Sequence, residues 1–413
     1  MKNPGKEDVM MEYFGRNQLF KMMLLALVIY PMVPAAYTPW IGFSLGLFFL
    51  LYLMMHPDAY EKIRRGRRHN KLAYGLSSAL FILWSLVSFV YSVDRMKTLE
   101  GILMYSSAFV LFFILKYELH RPNQVLPLVR AYFLGTFMVG LYYGGQVLYE
   151  EIVQGISFDP LTHTSFFDHG PVLAYFMLLP LFPALALYIF KEKTKESRFY
   201  FLVASVSVIS IFMTGSRIAI IGIFIGLALL SLLYSLKFLL ALLPAGIFMV
   251  LIPIFSHRHR SFFAISEGMG RISFYLEIIK AHWSSIFFGR GFFTMDGTMT
   301  KFLVDRPELL NLGQVNRPYN TGLQVLLELG LVGLFIGGLI LFFKMKGILN
   351  YTKSYKAQAN LKVMYVGVFV SMVVLLYVGA MDSYMMDPKL LYAIAALMGI
   401  LHGDAKWKGI GKV

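Results

Sequence analysis

Three short segments of this chain combine residue types from which an anion-handling site can be built. The first is Thr214-Gly215-Ser216-Arg217-Ile218-Ala219, between two apolar blocks. It sets Arg217 where a helix begins. Unpaired backbone N–H groups already favour an anion there, and a guanidinium adds two-point recognition of phosphate. A boundary arginine that snorkels to an interface is the plainer reading of the same pattern. The second segment is Gly270-Arg271-Ile272-Ser273-Phe274-Tyr275, leading to Phe288-Gly289-Arg290-Gly291-Phe292. Ile272, Tyr275, Leu276, Ile279, Trp283 and Ile286 recur at helical spacing. That predicts an amphipathic helix on a membrane or bundle surface, with Arg271 at its start and a tight turn allowed by Gly289 and Gly291. The third is Arg317-Pro318-Tyr319-Asn320-Thr321, where Pro318 and Asn320 suit a helix start. Glu328, Gly330 and Gly333 follow inside that helix, and the glycines also read as close-packing positions.

The elements that must hold these segments are apolar. Of 413 residues, 58% are hydrophobic and only 15% charged, against about a quarter charged in soluble domains. The excess is concentrated in blocks such as Ile218–Leu236 and Phe238–Phe255, long enough for the ~20 residues of a membrane span. Only helices satisfy their backbone within one segment in lipid, so the blocks predict an all-α integral membrane protein. About 12 spans are expected: 19–36, 39–55, 72–92, 98–116, 125–149, 169–190, 199–214, 217–235, 238–255, 320–343, 362–381 and 388–402. Residues 1–413 read as a single polytopic membrane domain. Residues 256–317 form one large extracytoplasmic loop, containing short amphipathic helices, inserted between late spans. The run after Asn17 is longer than a signal-peptide core and reads as an uncleaved first span.

A net charge of +15 in a soluble protein would point to nucleic acid. Here the positive charge falls between apolar blocks. Lys62–Lys71, Lys116–Arg121, Lys191–Arg198, Lys344–Lys362 and the tail after Leu401 alternate with charge-poor loops such as Glu150–His169. By the positive-inside rule both termini are cytoplasmic and residues 256–317 lie outside, with Arg95 and Lys97 a mild exception. No nucleic-acid partner is expected. The absence of cysteine excludes disulfides, thiolate catalysis and cysteine-ligated metal. Ionisable residues inside spans, the mark of a transport path, are few: Arg130 and Glu328, with Glu100 near a helix end.

Taken together, the three segments resemble the O-antigen ligase and O-antigen polymerase family of bacterial membrane glycan transferases. The family has an Arg after a small polar turn at the start of a span, as in Thr214–Ala219. It has a Gly-Arg before an amphipathic helix that ends in a Gly-rich turn, as in Gly270–Tyr275 and Phe288–Phe292. A His-Asn pair closing the outer loop, then Glu and Gly-x-x-Gly in the next span, are matched by Tyr319-Asn320, Glu328, Gly330 and Gly333 in all but the His. The resemblance implies a bacterial plasma-membrane enzyme with an extracytoplasmic active site. Its donor would be an undecaprenyl-diphosphate-linked glycan, and its acceptor another glycan unit or lipid A–core. The chemistry implied is inverting, with neither metal nor other cofactor, among membrane lipids and cell-envelope assembly partners.

A diphosphate leaving group gathers charge as the glycosidic bond breaks, so fixed cations there favour the transition state. Arg217 and Arg271 are the expected catalytic cations, with Arg290 and Arg317 as further substrate-binding candidates. Tyr319 stands where the family has the candidate base, and an ordinary phenol near ~10 is a poor one at neutral pH. Tyr319 is therefore expected to orient the acceptor or to stack on sugar, beside Asn320. His163, His169, His282, Asp296 and Glu328 are the alternative bases. The missing His tilts the reading toward a polymerase rather than a ligase. A lipid-linked glycan flippase and a non-catalytic scaffold are the competing classes.

Overall fold

Long runs of Leu, Ile, Phe and Val find backbone partners in hydrocarbon only by coiling on themselves. The computed structural model describes residues 6–55, 73–118, 124–153, 165–190, 195–233, 266–306, 318–352 and 359–407. Among them the regular elements are helices, with no strand. They are α1 (Lys6–Ile29), α2 (Thr38–Met55), α3 (Ala73–Tyr91), α4 (Arg95–Glu118), α5 (Val125–Leu148), α6 (Gly170–Phe190) and α7 (Lys195–Met213). They continue with α8 (Arg217–Leu233), α9 (Ser266–Ala281), α10 (Met295–Val304), α11 (Thr321–Thr352), α12 (Ala359–Met381) and α13 (Pro388–Trp407). Among the described residues seven helices are long and apolar enough to cross a membrane, and four shorter ones are apolar. The expected span at 238–255 lies outside the described residues, as do both ends of the 256–317 loop. Large side chains such as Leu47, Leu50, Met54, Leu232 and Phe335 point outward, as lipid-facing residues must.

α6 is the encased centre, packed against α7, α8 and α12. Pro183 lies inside α6 and has no N–H for the Leu179 carbonyl. Ser371 of α12 supplies the missing donor, its hydroxyl donating to that carbonyl at 2.9 Å. α13 lies along α4, and α11 lies against α3 and α12. Phe274, Ile278 and Phe302 of α9 and α10 pack on Leu323 and Leu327, so this pair sits on the first part of α11.

Several junctions gather at one end of the bundle. The Lys389 ammonium donates to the carbonyls of Pro31 and Phe166. Val93 N–H donates to the Arg290 carbonyl at 3.0 Å. Asn320 Nδ2 donates to the Ala380 carbonyl at 2.9 Å. The expected amphipathic helix differs in its bounds. It begins at Ser266, so Arg271 falls in its second turn, and it ends at Ala281, leaving Trp283 in a short 3-10 turn. Gly289 and Gly291 then lead into α10, a helix the periodicity did not reveal.

Candidate functional site

At the gathered end, α8 begins at Arg217 after the turn Thr214–Ser216, closed by the Gly215 N–H on the Phe212 carbonyl at 3.0 Å. The Ser216 hydroxyl lies close enough to the Tyr175 hydroxyl of α6 to influence it. The Tyr175 hydroxyl donates to Asp382 Oδ2 at 2.6 Å, and the Ser383 N–H occupies Oδ1 at 2.7 Å. The Asp382 carbonyl accepts the Thr321 hydroxyl at 2.9 Å. Asn320 caps α11, its Oδ1 accepting the Leu323 N–H at 2.9 Å. The Tyr319 carbonyl accepts the Tyr275 hydroxyl from α9 at 2.9 Å. The first and third sequence segments are thus joined through Tyr175 and Asp382, and the second through Tyr275. Tyr319 has φ +50, a left-handed conformation that costs an aromatic residue energy and is characteristic of strained functional positions.

The Gly-rich turn at 286–293 forms an elbow with a different job. α11 is broken at Gly330 (φ 71, ψ −172), which frees backbone groups that a helix would pair. The elbow pairs them instead. Arg290 N–H donates to the Leu327 carbonyl at 2.9 Å, Gly291 N–H to the Glu328 carbonyl at 3.0 Å, and Leu331 N–H to the Ile286 carbonyl at 2.9 Å. Trp84 Nε1 donates to the Leu329 carbonyl at 2.9 Å. A Cβ on Gly330 would run into the Phe287 backbone, and one on Gly289 into that of Glu328, so the two chains approach as closely as glycine permits. The Glu328 carboxylate is fully buried and accepts the Phe293 N–H at 3.0 Å and Gln324 Nε2 at 3.1 Å.

Residues 201–338 match the O-antigen ligase family. No curated protein matches the chain. The family match runs from α7 into α11 and contains Arg217, Arg271, Arg290, Arg317, Tyr319, Asn320 and Glu328, so the resemblance drawn from the motifs holds over this segment. The family implies O-antigen ligase or polymerase-type glycan transfer, with a lipid-linked glycan donor and a glycan acceptor. With the apolar helices it points to a bacterial membrane protein. Tyr175, Asp382 and His169 lie outside the matched segment.

The residues expected in an O-antigen ligase-type site fall into distinct settings. Arg217 is half-buried at the start of α8. Arg290 is half-buried in the elbow, where its charge, after burial itself, helps hold the His282 imidazole below its usual value. His282 Nδ1 donates to the Ile278 carbonyl at 2.9 Å, and the side chain is buried. His169 is exposed at the entry to α6, its ring 5.2 Å from that of Tyr384. Arg317 and His163 lie outside the described residues. Arg130, a candidate for a transport path, pairs instead with Glu196 at 2.6 Å, tying α5 to the first turn of α7. Glu100 pairs with Lys97 on an exposed turn. Sequence reasoning did not single out Tyr175 or Asp382. The one signal for them was a Tyr inside a span and an Asp closing another, and neither is specific.

An apolar cavity of about 470 Å³ opens from the same region. Asn320, Thr321 and Ala380 line one end, Phe112 and Lys344 the other.

Proposed function

We propose that the protein transfers a glycan from an undecaprenyl-diphosphate carrier to an acceptor sugar hydroxyl at the outer face of the bacterial plasma membrane, by inversion and without metal. The observation that carries this reading is the approach of the Arg217 turn, by way of Tyr175 and Asp382, to Asn320 and Thr321 at the mouth of an apolar cavity. A carrier with a polyprenyl tail and a charged head needs that combination. Both termini are then cytoplasmic, residues 1–413 form one membrane domain, and residues 256–317 are its outer loop.

In the proposed step the acceptor oxygen attacks the anomeric carbon and gives up its proton to a base of the site or to water. The bond from that carbon to the diphosphate oxygen breaks, and its electron pair leaves with the diphosphate. Arg217 and Arg271 neutralise the growing charge, with Arg290 and Arg317 as further cations. Tyr319 and Asn320 orient the acceptor in this proposal, with His163 and His169 as further substrate-binding candidates. Glu328 serves the site by holding the elbow against α11. Polymerisation of repeat units is the favoured form, since a Tyr stands where the His most typical of ligases would be. Transfer to lipid A–core is the second reading, favoured by the description of the matched family as O-antigen ligase.

The test is transfer by purified protein in detergent, with EDTA present, from undecaprenyl-diphosphate repeat units alone and then with lipid A–core. Longer chains from repeat units alone identify a polymerase. Product only with added core identifies a ligase. No product from authentic donor overturns the transferase reading in favour of a flippase or scaffold.

A further inference from the structure

The chain from Trp283 to Phe288 falls inside what the sequence reads as an outer loop, yet it exposes aromatic surface. Trp283, Phe287 and Phe288 are 67%, 63% and 60% exposed. We infer that this turn is a re-entrant segment seated in the membrane, and that its aromatic side chains, with the exposed stripe of α9, meet lipid acyl chains. This placement holds whatever reaction the site performs.

The turn lies between two lipid-facing helices. On one side it runs beside Leu327 and Leu331, in the second and third turns of α11, through the Arg290–Leu327 and Leu331–Ile286 hydrogen bonds. α11 is the most apolar of the candidate spans among the described residues, and it turns Leu331 and Phe335 outward. On the other side the turn touches α3. The Tyr91 hydroxyl donates to the Phe288 carbonyl at 2.6 Å, and the Trp84 and Phe288 rings lie 6.1 Å apart. Val87, three residues from Trp84 and four from Tyr91, shares that side of α3 and is exposed. Phe287 and Phe288 thus continue an apolar surface that already faces lipid. Trp283 and Tyr91 are residue types that favour the membrane boundary.

Non-helical backbone survives at hydrocarbon depth only where its polar groups are paired within the protein. The elbow meets that demand. Besides its bonds to α11, its Gly289 N–H donates to the Ser285 carbonyl at 2.7 Å, and its Phe292 N–H to the Ser88 hydroxyl at 3.1 Å. The Gly291 carbonyl accepts the Thr294 hydroxyl at 2.7 Å, and the Arg290 carbonyl the Val93 N–H. Arg290, the one charged residue of the turn, is half-buried, as a snorkelling cation is.

α9 carries two apolar stripes. Phe274 and Ile278 pack against α10 and α11. Ile272 and Leu276 lie on another stripe and are exposed. Glu277 and Lys280 pair with each other on the flank between the stripes. A helix bathed in water turns its charges outward, whereas one at a lipid boundary keeps them to the side.

The chain has no cysteine, so single cysteines report without interference. Full-length protein in lipid nanodiscs would carry a nitroxide on Leu276→Cys, Phe287→Cys, Lys280→Cys or Val87→Cys, the last as a lipid-facing reference. Collision with oxygen, which concentrates in lipid, is compared with collision with a water-soluble nickel chelate. The oxygen-to-nickel ratio at 276 and 287 is expected to match that at 87 and to exceed that at 280 several-fold. A ratio at 276 and 287 equal to that at 280 puts the turn in water and overturns the inference. Shielding from both reagents also overturns it, because another part of the chain or a second protein then covers the surface. A second measurement needs no label. The emission lost on Trp283→Phe should be strongly quenched in nanodiscs of brominated lipid, and emission that escapes quenching places Trp283 outside the bilayer and overturns the inference.

Discussion

Two regions meet on the first part of α11, and they spend their polar groups in opposite ways. At the elbow, each backbone group freed by the break at Gly330 finds a partner from 286–291 or Trp84, and Glu328 is consumed by an N–H and an amide. At the rim, Asn320 and Thr321 are anchored and line an apolar cavity, while Arg217 is half-buried and His169 exposed. Gly289, Glu328 and Gly330 thus build the frame, and the rim keeps groups that can meet a ligand. A motif match spans both kinds of residue without telling them apart.

Substitutions can break that division. Gly330→Leu has the largest expected effect. It forces a side chain into the Phe287 backbone at positive φ, and about 2–5 kcal/mol of stability should be lost. Folded yield and thermal stability in detergent check this, and an unaffected variant would show that the elbow is not structural. Arg217→Ala should do the reverse, with transfer down about 10²–10³-fold at unchanged stability. Cleanly folded but inactive protein is the expected result, and retained transfer would remove Arg217 from the site.

Tyr175→Phe sharpens the boundary between the regions. It deletes the hydroxyl that holds Asp382 and leaves a buried carboxylate oxygen short of a partner, costing about 1–3 kcal/mol. Activity should fall with it, because Asp382, whose carbonyl holds Thr321, loses its tie to α6. A double-mutant cycle with Asp382→Asn, read by thermal unfolding, should give clear non-additivity.

The smallest effect lies in α9. Hydrogen bonds from Lys280 and Arg306 hold the Glu277 carboxyl below its ordinary value. A carboxylate with a lowered folded pKa stabilises the fold above the unfolded value of about 4.3 and loses that contribution as pH falls through the folded value. Hydrogen exchange across 266–306 should quicken slightly in acid, and Glu277→Gln should abolish the difference.

Much of the frame was legible because lipid leaves a helix no alternative. Helices expected at 72–92 and 125–149 appear as Ala73–Tyr91 and Val125–Leu148. The break at Gly330 was not legible, since its partners lie some forty residues upstream and no local period records them. α10 was hidden for a related reason, as its apolar Met295, Met299 and Phe302 face α9 and α11 in an otherwise polar stretch. In the site, Arg217 and Asn320 announced themselves by position at helix starts. Asp382 and Tyr175 did not, because a single Asp at a span's end matters only once a tyrosine from another helix is found against it.

The elbow also constrains how ligands can come and go. Its backbone completes α11, so lifting it would strip partners from the Leu327 and Glu328 carbonyls and from the Leu331 N–H. Each such group left bare in an apolar setting costs several kcal/mol. The turn cannot serve as a hinged cover. Traffic must pass beside it, through the bundle's flank where α3, α4, α11 and α13 line the cavity, and in chain growth the elbow must already be waiting when α11 is threaded into place.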